Sequence, residues 1–334
     1  MSHMGASING PARSGIIMAL LALLWPGVVD LTRSSTLNSS ANPSVQQISA
    51  DRLRTHIAKL AGEIGERNVF RPRALHAAAD YIRAEWTAQG YQVAVQSYQV
   101  EGVLSENLEV TLPGKSKPNE IILIGAHYDT VQGSPGANDN ASGVAALLEI
   151  SRVFAKLAPE RSVHLVAFVN EEPPFFFWGQ MGSMIYAKAA RRRGDDIRMM
   201  LSLEMLGCYS DEPGSQSYPP LLRFFYPDRG NFIAFVSNFN SRQELHQVVD
   251  AFRAHSDFPA ESLATFEFVP GVSWSDHLSF WREGYPALMV TDTAFHRYSH
   301  YHSASDTPDK IRYTEMARVV EGLAKAIAAL AGSA

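Results

Sequence analysis

The sequence predicts an α/β fold, a three-layer sandwich with helices on both faces of a mixed, mainly parallel central sheet. Three observations predict it. Apolar runs of strand length alternate along the chain with segments of helical periodicity, the order expected when helices connect the strands of a parallel sheet. Runs such as EIILIGA, residues 120–126, are apolar at nearly every position, as strands covered on both faces require. Acidic and imidazole residues directly follow those runs, at the strand ends where open α/β sheets place their sites.

The elements follow in order. RALHAAADYIRAEWTAQG, residues 73–90, has helical spacing and stops at Gly90, a suitable helix end. YQVAVQSYQV, 91–100, alternates like a half-buried strand. EIILIGA is a buried strand, SGVAALLEISRVFAKLA (142–158) a helix, and SVHLVAFV (162–169) a second buried strand. GSMIYAKAARRR, 182–193, is a helix whose arginines complement the dipole of its last turn. RMMLSLEML (198–206) and NFIAFVSN (231–238) are strands, and SRQELHQVVDAFRAH (241–255) is a helix. A short helix around HLSFW, the strand PALMVTD (286–292) and the helix YTEMARVVEGLAKAIAALA (313–331) complete the chain.

The 334 residues are 46% hydrophobic and 19% charged, room for one large α/β domain or two small ones. A net charge of −5 provides no general attraction for nucleic acid or an anionic membrane. The single cysteine, Cys208, excludes an internal disulfide and a thiolate zinc cluster, and its apolar setting reads as a buried structural thiol. Ile16 to Val29 is an apolar run preceded by Arg13, shorter than the roughly 20 residues of a spanning helix and interrupted by Pro26. It reads as a signal-peptide core, or as an uncleaved anchor, and the Ser/Asn/Thr-rich stretch after it as a tether. The expected organisation is a signal or anchor segment with its tether over residues 1–47 and a single catalytic domain over 48–334. The expected location is outside the cytoplasm, with any membrane contact confined to that N-terminal segment.

Glu171 and Glu172 stand side by side between SVHLVAFV and Pro173-Pro174. Without a cation the two would repel, and one would take up a proton. A divalent metal removes that conflict, and imidazole with carboxylate but no thiolate suits a catalytic zinc site with an open position. In chain order the candidate ligands are His127, Asp139, Glu172, Glu204 and His302. Two zinc ions sharing one bridging carboxylate would use all five and leave room for a water, in the manner of metal pairs ~3.5–4 Å apart. Asn140 or Ser142 can cap the helix that follows, which frees Asp139 for metal. Neighbouring side chains of an extended strand point to opposite sides, so both glutamates meet one cluster only if the strand ends there, and the two prolines end it. Pro173 also biases Glu172 toward extended backbone. Glu172 is therefore assigned to metal and Glu171 to the general base that takes a proton from water. Asp129 is spaced to accept the second N–H of His127. Asp276 either supports the cluster from behind or anchors the HLSFW helix. Tyr298 and Tyr301 are candidate oxyanion donors, with His300 a donor nearby. The aromatics Phe175 to Trp178 are placed near the site mouth, where they would line a hydrophobic side-chain pocket or join the core.

HYD at 127–129, GANDNASG at 136–143, NEE at 170–172, SLEM at 202–205, SDH at 275–277 and HSASDT at 302–307 occur in this order. From about residue 50 onward the chain thereby resembles the zinc-dependent peptidase family of bacterial leucyl aminopeptidases, glutamate carboxypeptidase II and glutaminyl cyclases. The resemblance implies a zinc-exopeptidase-like fold in which Asp139 bridges two zinc ions. His127 and Glu204 would complete one site, and Glu172 and His302 the other. Glu171 would be the general base and Asp129 the support of His127. Glu204 stands where many members carry aspartate. The reading is an exported di-zinc aminopeptidase acting on peptides, with no obligate protein partner. Its alternatives are a glutaminyl cyclase-like aminoacyltransferase holding one zinc, a carboxypeptidase using Arg223, Arg229 or Arg297 for the substrate carboxylate, and a non-catalytic receptor-like domain.

Overall fold

A computed structural model describes residues 47–333 apart from Leu221. The apolar segment at 16–29 and nearly all of the tether lie outside the described residues. Ile48, near the tether's expected end, is buried in the core, and the described residues belong to one compact unit.

The strands are β1 (Ala94–Val100), β2 (Val103–Leu112), β3 (Lys117–His127), β4 (Arg161–Phe168), β5 (Asp196–Glu204), β6 (Ile233–Asn238), β7 (Ala260–Thr265) and β8 (Ala287–Thr291). They form one sheet in the order β1-β2-β4-β3-β5-β8-β6-β7. The β4-β3-β5-β8 centre is parallel, β1 and β2 extend it antiparallel at one edge, and β6 pairs antiparallel with β8 but parallel with β7 at the other. The sheet is mixed and mainly parallel, as expected. Two strands had no clear signal in the sequence. β2 closes a hairpin on β1 through Glu101 and Gly102, both at positive φ (49° and 76°), the two-residue turn whose twist matches paired strands. β7 is a short edge strand with only its first residue fully buried.

The helices are α1 (Ala50–Ile57), α2 (Pro72–Ala88), α3 (Gly143–Phe154), α4 (Gly182–Arg193), α5 (Arg242–His255), α6 (His277–Arg282) and α7 (Tyr313–Leu330). Alternate β3 residues separate the layers. Ile122, Ile124 and Ala126 join the large core with α1, α2, α3, α5 and α7, whereas Ile121 and Leu123 face Tyr186, Ala187 and Ala190 of α4 and Phe280 of α6. The second helical layer is thin, which matters for the pocket described below.

Arg67 is a buried cation the sequence did not single out. It is 0% exposed, and its guanidinium donates to the carbonyls of Leu60, Gly65, Tyr128, Pro135 and Gly136. It thereby closes the loop between β3 and Asp139. Arg67→Met would strip several buried carbonyls of their donor, each worth ~1–3 kcal/mol. A loss of about 3–5 kcal/mol is expected, read as a lower urea midpoint at unchanged slope. A shift under 1 kcal/mol would show that water replaces the guanidinium.

Candidate metal centre and substrate pocket

The ends of three adjacent parallel strands build the centre. His127 ends β3, Glu171 and Glu172 lie just beyond β4, and Glu204 ends β5. Asn170 and Met205, at the exits from β4 and β5, and His302 itself adopt left-handed backbone, φ 59°, 55° and 53°. This conformation costs residues with a Cβ roughly 1 kcal/mol or more and concentrates at functional sites. At Asn170 it is held by side-chain hydrogen bonds to Ser105 and Tyr98. The chain therefore leaves the strand before the two glutamates, as the prolines after them suggested.

Asp139 arrives on a separate loop that its neighbours pin down. Gly136 has φ 61°, and a Cβ there would run into the Asp139 carbonyl. Asn138 bridges Asp292 and the Gly207 N–H. Asn140 accepts the N–H groups of Gly143 and Met205 and donates to the Leu203 carbonyl. Asp306 accepts the backbone N–H groups of both Asn138 and Asp139. The carboxylate of Asp139 is left for other work.

Three ligand-like groupings result, each with its donor atoms within 4.8 Å of one another: His127 with Asp139 and Glu204, Asp139 with Glu172 and His302, and His127 with Glu171 and Glu172. His127 Nε2 lies 3.4 Å from Asp139 Oδ1 and 3.4 Å from Glu204 Oε2. His302 Nε2 lies 3.1 Å from both Asp139 Oδ2 and Glu172 Oε2. Each oxygen of Asp139 thus faces a different histidine. Glu171 Oε2 is farther from His127, at 3.9 Å.

Neither ring nitrogen of His127 has a hydrogen-bond partner, and neither does Glu172 Oε1, although all three atoms are buried. Buried polar atoms are ordinarily paired. His127 Nε2 faces the carboxylates of Asp139 and Glu204 while Nδ1 faces Asp129, and the oxygen and imidazole donor set fits divalent metal.

The acids meanwhile compete for protons. Burial lifts the Glu171 carboxyl well above its ordinary range, and Glu204 and Glu172 push the same way. Burial and Asp139 push Glu172 up to about 7. Burial would raise Asp139 too, but its contacts with His127 and His302 outweigh that and hold it low. Burial opposes charge on His302, yet Asp139 and Glu172 carry it up to about 10. A bound cation would supply the positive charge these protons provide.

Asp129 Oδ1 lies 3.5 Å from His127 Nδ1, and its two oxygens accept the backbone N–H groups of Glu171 and Glu172, tying β3 to the end of β4. Asp276 is 0% exposed, makes no side-chain cap on α6, and has neither carboxylate oxygen hydrogen-bonded. Its anchoring role is therefore not seen, and burial pushes its carboxyl up to about 7. Ser275, which the sequence reading passed over, donates to Glu204 at 2.7 Å and contacts Ser202.

Tyr298 is a correction: its one hydroxyl proton goes to Asp306 at 2.7 Å and is not free for an oxyanion. Tyr301 stacks on the His302 ring at 3.8 Å and lines the pocket beside Glu204. His300 contacts Ser305. Cys208 is largely buried beside the Arg297 carbonyl, and burial pushes its thiol up to about 12, as a structural thiol requires. Of the three arginines considered for a carboxylate pocket, Arg297 donates to Gln216 and to the Cys208 and Phe232 carbonyls, Arg229 donates to Asp211, and exposed Arg223 lies over Phe224.

The aromatics after the prolines do not form the main pocket. Phe175 is buried beside a small cleft near Glu172, whereas Phe177 and Trp178 are exposed. A larger, mostly apolar pocket opens from Glu204 over the sheet face that the thin helical layer leaves bare. Phe232, Val236, Leu263, Val272, Trp274 and Met289 line it, and among the described residues no lysine or arginine does.

The profile of Peptidase family M28 matches residues 107–327. The chain is 37% identical over 294 residues to the uncharacterized protein YfbL of Escherichia coli (strain K12), covering 85% of this chain and 90% of that one. It is 26% identical over 325 residues to a probable zinc metalloprotease of Pyrenophora teres f. teres, covering 83% of this chain and 64% of that protein. Among solved structures it resembles a zinc aminopeptidase from Bacillus subtilis with a TM-score of 0.67 and 15% identity, over 85% of this chain and 96% of that one.

Proposed function

This chain belongs to peptidase family M28, and from that premise we propose that it is a zinc-dependent aminopeptidase that removes N-terminal residues from peptides. The observation that carries this reading is Asp139, whose two oxygens address two separate ligand sets. His127 and Glu204 would hold one zinc ion with Asp139, and Glu172 and His302 would hold a second. Two zinc ions, when bound, supply Lewis-acid polarisation of the peptide carbonyl and lower the pKa of water.

The remaining chemistry belongs to the chain's own groups. Glu171, left out of both sets that share Asp139, accepts a proton from the attacking water and passes it to the leaving amine. Asp129 holds His127 in orientation by facing its Nδ1. Tyr301, whose phenol is kept protonated by burial and by the surrounding carboxylates, donates to the developing oxyanion. Carboxylates at the site, with no lysine or arginine among the described residues that line the pocket, suit an α-ammonium group and disfavour a substrate carboxylate. This supports aminopeptidase over carboxypeptidase action.

Zinc-loaded protein should hydrolyse leucine or lysine p-nitroanilide, lose activity to a chelator, regain it with added zinc, and hold about two zinc per chain. One tightly held zinc together with cyclisation of N-terminal glutamine would reject this reading in favour of an aminoacyltransferase.

A further inference from the structure

The pocket beside the metal centre contains a carboxylate that the reaction above does not use. In the pairing register Glu204 of β5 lies opposite Thr291 of β8, Thr291 opposite Ala234 of β6, and Ala234 opposite Glu261 of β7. Residues in register across a sheet share a face. Glu204, Thr291, Ala234 and Glu261 therefore form a transverse row on one face, and all four line the pocket. The row has a metal-ligating candidate at one end and Glu261 at the other, three strand spacings away, roughly 14 Å.

Glu261 is half-buried, and burial raises its carboxyl above the ordinary range. It makes no ion pair among the described residues. Arg253 is the cation whose charge reaches it, and that guanidinium is engaged by the Ala260 carbonyl. Burial lowers the pKa of His296, the one imidazole among the described residues that line the pocket, and so disfavours its charged form. Tyr218 and Tyr226 stand beside the carboxylate with ring centroids 5.8 Å apart. The Tyr226 phenol is pushed up to about 12, by burial first and by the Glu261 charge second. Both hydroxyls are committed, to the Pro227 and Ser262 carbonyls, so the rings are what these tyrosines offer to a ligand. Apolar walls, two aromatic rings and a carboxylate at the far end match an aliphatic stem that ends in a cation. A purely apolar side chain would fill the walls but would further desolvate Glu261 without pairing it.

We propose that this pocket receives the N-terminal side chain of the substrate and that Glu261 makes it selective for lysine and arginine. The proposal rests on the aminopeptidase reading above, and it makes Glu261 a specificity-determining residue. The substrate's α-ammonium and scissile carbonyl lie at the Glu204 end, and its ammonium or guanidinium pairs with Glu261 across the row.

The test compares lysine p-nitroanilide with norleucine p-nitroanilide on zinc-loaded full-length protein, because norleucine has a similar unbranched stem without the charge. Wild type should favour lysine in kcat/KM by about 10-fold or more, since a site built around a polar partner discriminates strongly against the analogue lacking it. Glu261→Gln should bring that ratio close to one, and Glu261→Lys should invert it. Norleucine equal to or better than lysine in wild type, or a ratio unchanged in both variants, would overturn the proposal. Hydrolysis of neither compound, nor of the leucine derivative, by protein holding zinc would reject the aminopeptidase reading itself and this assignment with it.

Discussion

Glu171→Gln is expected to lower kcat by about 10²–10⁴-fold, the usual contribution of a positioned general base, while the purified protein keeps its full zinc content. The substitution preserves size and one carbonyl oxygen but removes the proton acceptor. Two features of the structure make the result informative. Glu171 lies 3.9 Å from His127 Nε2, farther than Asp139 or Glu204, so it is not needed to complete either set built on Asp139. Its backbone N–H is bound by Asp129, so the loop should keep its shape without the carboxylate. His127, Glu171 and Glu172 nevertheless form a grouping of their own. Kinetics and metal analysis must therefore be read together. If zinc and activity fall together, Glu171 is a ligand and its proton-transfer role is wrong. If neither falls, another group takes the proton.

Asp139→Asn should have an effect of comparable size by a different route. Asp139 Oδ1 faces His127 and Oδ2 faces His302. Asparagine retains one oxygen and turns an amide N–H₂ toward the other position, where a cation would meet hydrogens instead of a lone pair. Zinc should drop from about two per chain to one or fewer, with activity lost by at least about 10²-fold because both sites depend on the shared oxygen pair. The loop should remain folded, since Asn138, Asn140 and Asp306 hold it without the Asp139 carboxylate. An unchanged melting temperature when the metal-free proteins are compared would confirm that control. Two zinc ions retained at full occupancy would rule out the bridging role.

The centre was legible in the sequence for a specific physical reason. β3, β4 and β5 lie in the middle of the sheet and are covered on both faces, so each appears as an apolar run, and a polar residue at its end stands out. His127, Glu172 and Glu204 were marked in this way. Asp139 and His302 lack that local marker; residue type made them candidates, and the family resemblance supplied their pairing with the other ligands. Tyr298 shows the limit of such reading. Its place among FHRYSHYH suggested an oxyanion donor, but its hydroxyl goes to Asp306, a partner that only the folded loop could reveal. Ser275 was missed because a serine beside Asp276 and His277 draws less notice than they do, yet it is the serine that reaches Glu204.

The pocket was not legible at all. Its walls come from segments between residues 204 and 301 that no periodicity relates, and the aromatics expected to line it lie elsewhere. β2 carries the buried polar residues Ser105 and Asn107, the latter donating to the Gly182 carbonyl, which blurs a strand's apolar signal. β7 is short and half-exposed at an edge, so it had little hydrophobic pattern to offer.

By itself the sequence determined the fold class, the central strands and the donor types at their ends, because burial on both faces and turn chemistry are written into neighbouring residues. Only the tertiary structure decided which acids and imidazoles face one another, which tyrosine is committed to Asp306 and where Glu261 stands. Those outcomes depend on strand register and loop closure between segments distant in the chain, and that register is set by which faces are buried across the whole sheet, which no single strand shows by itself.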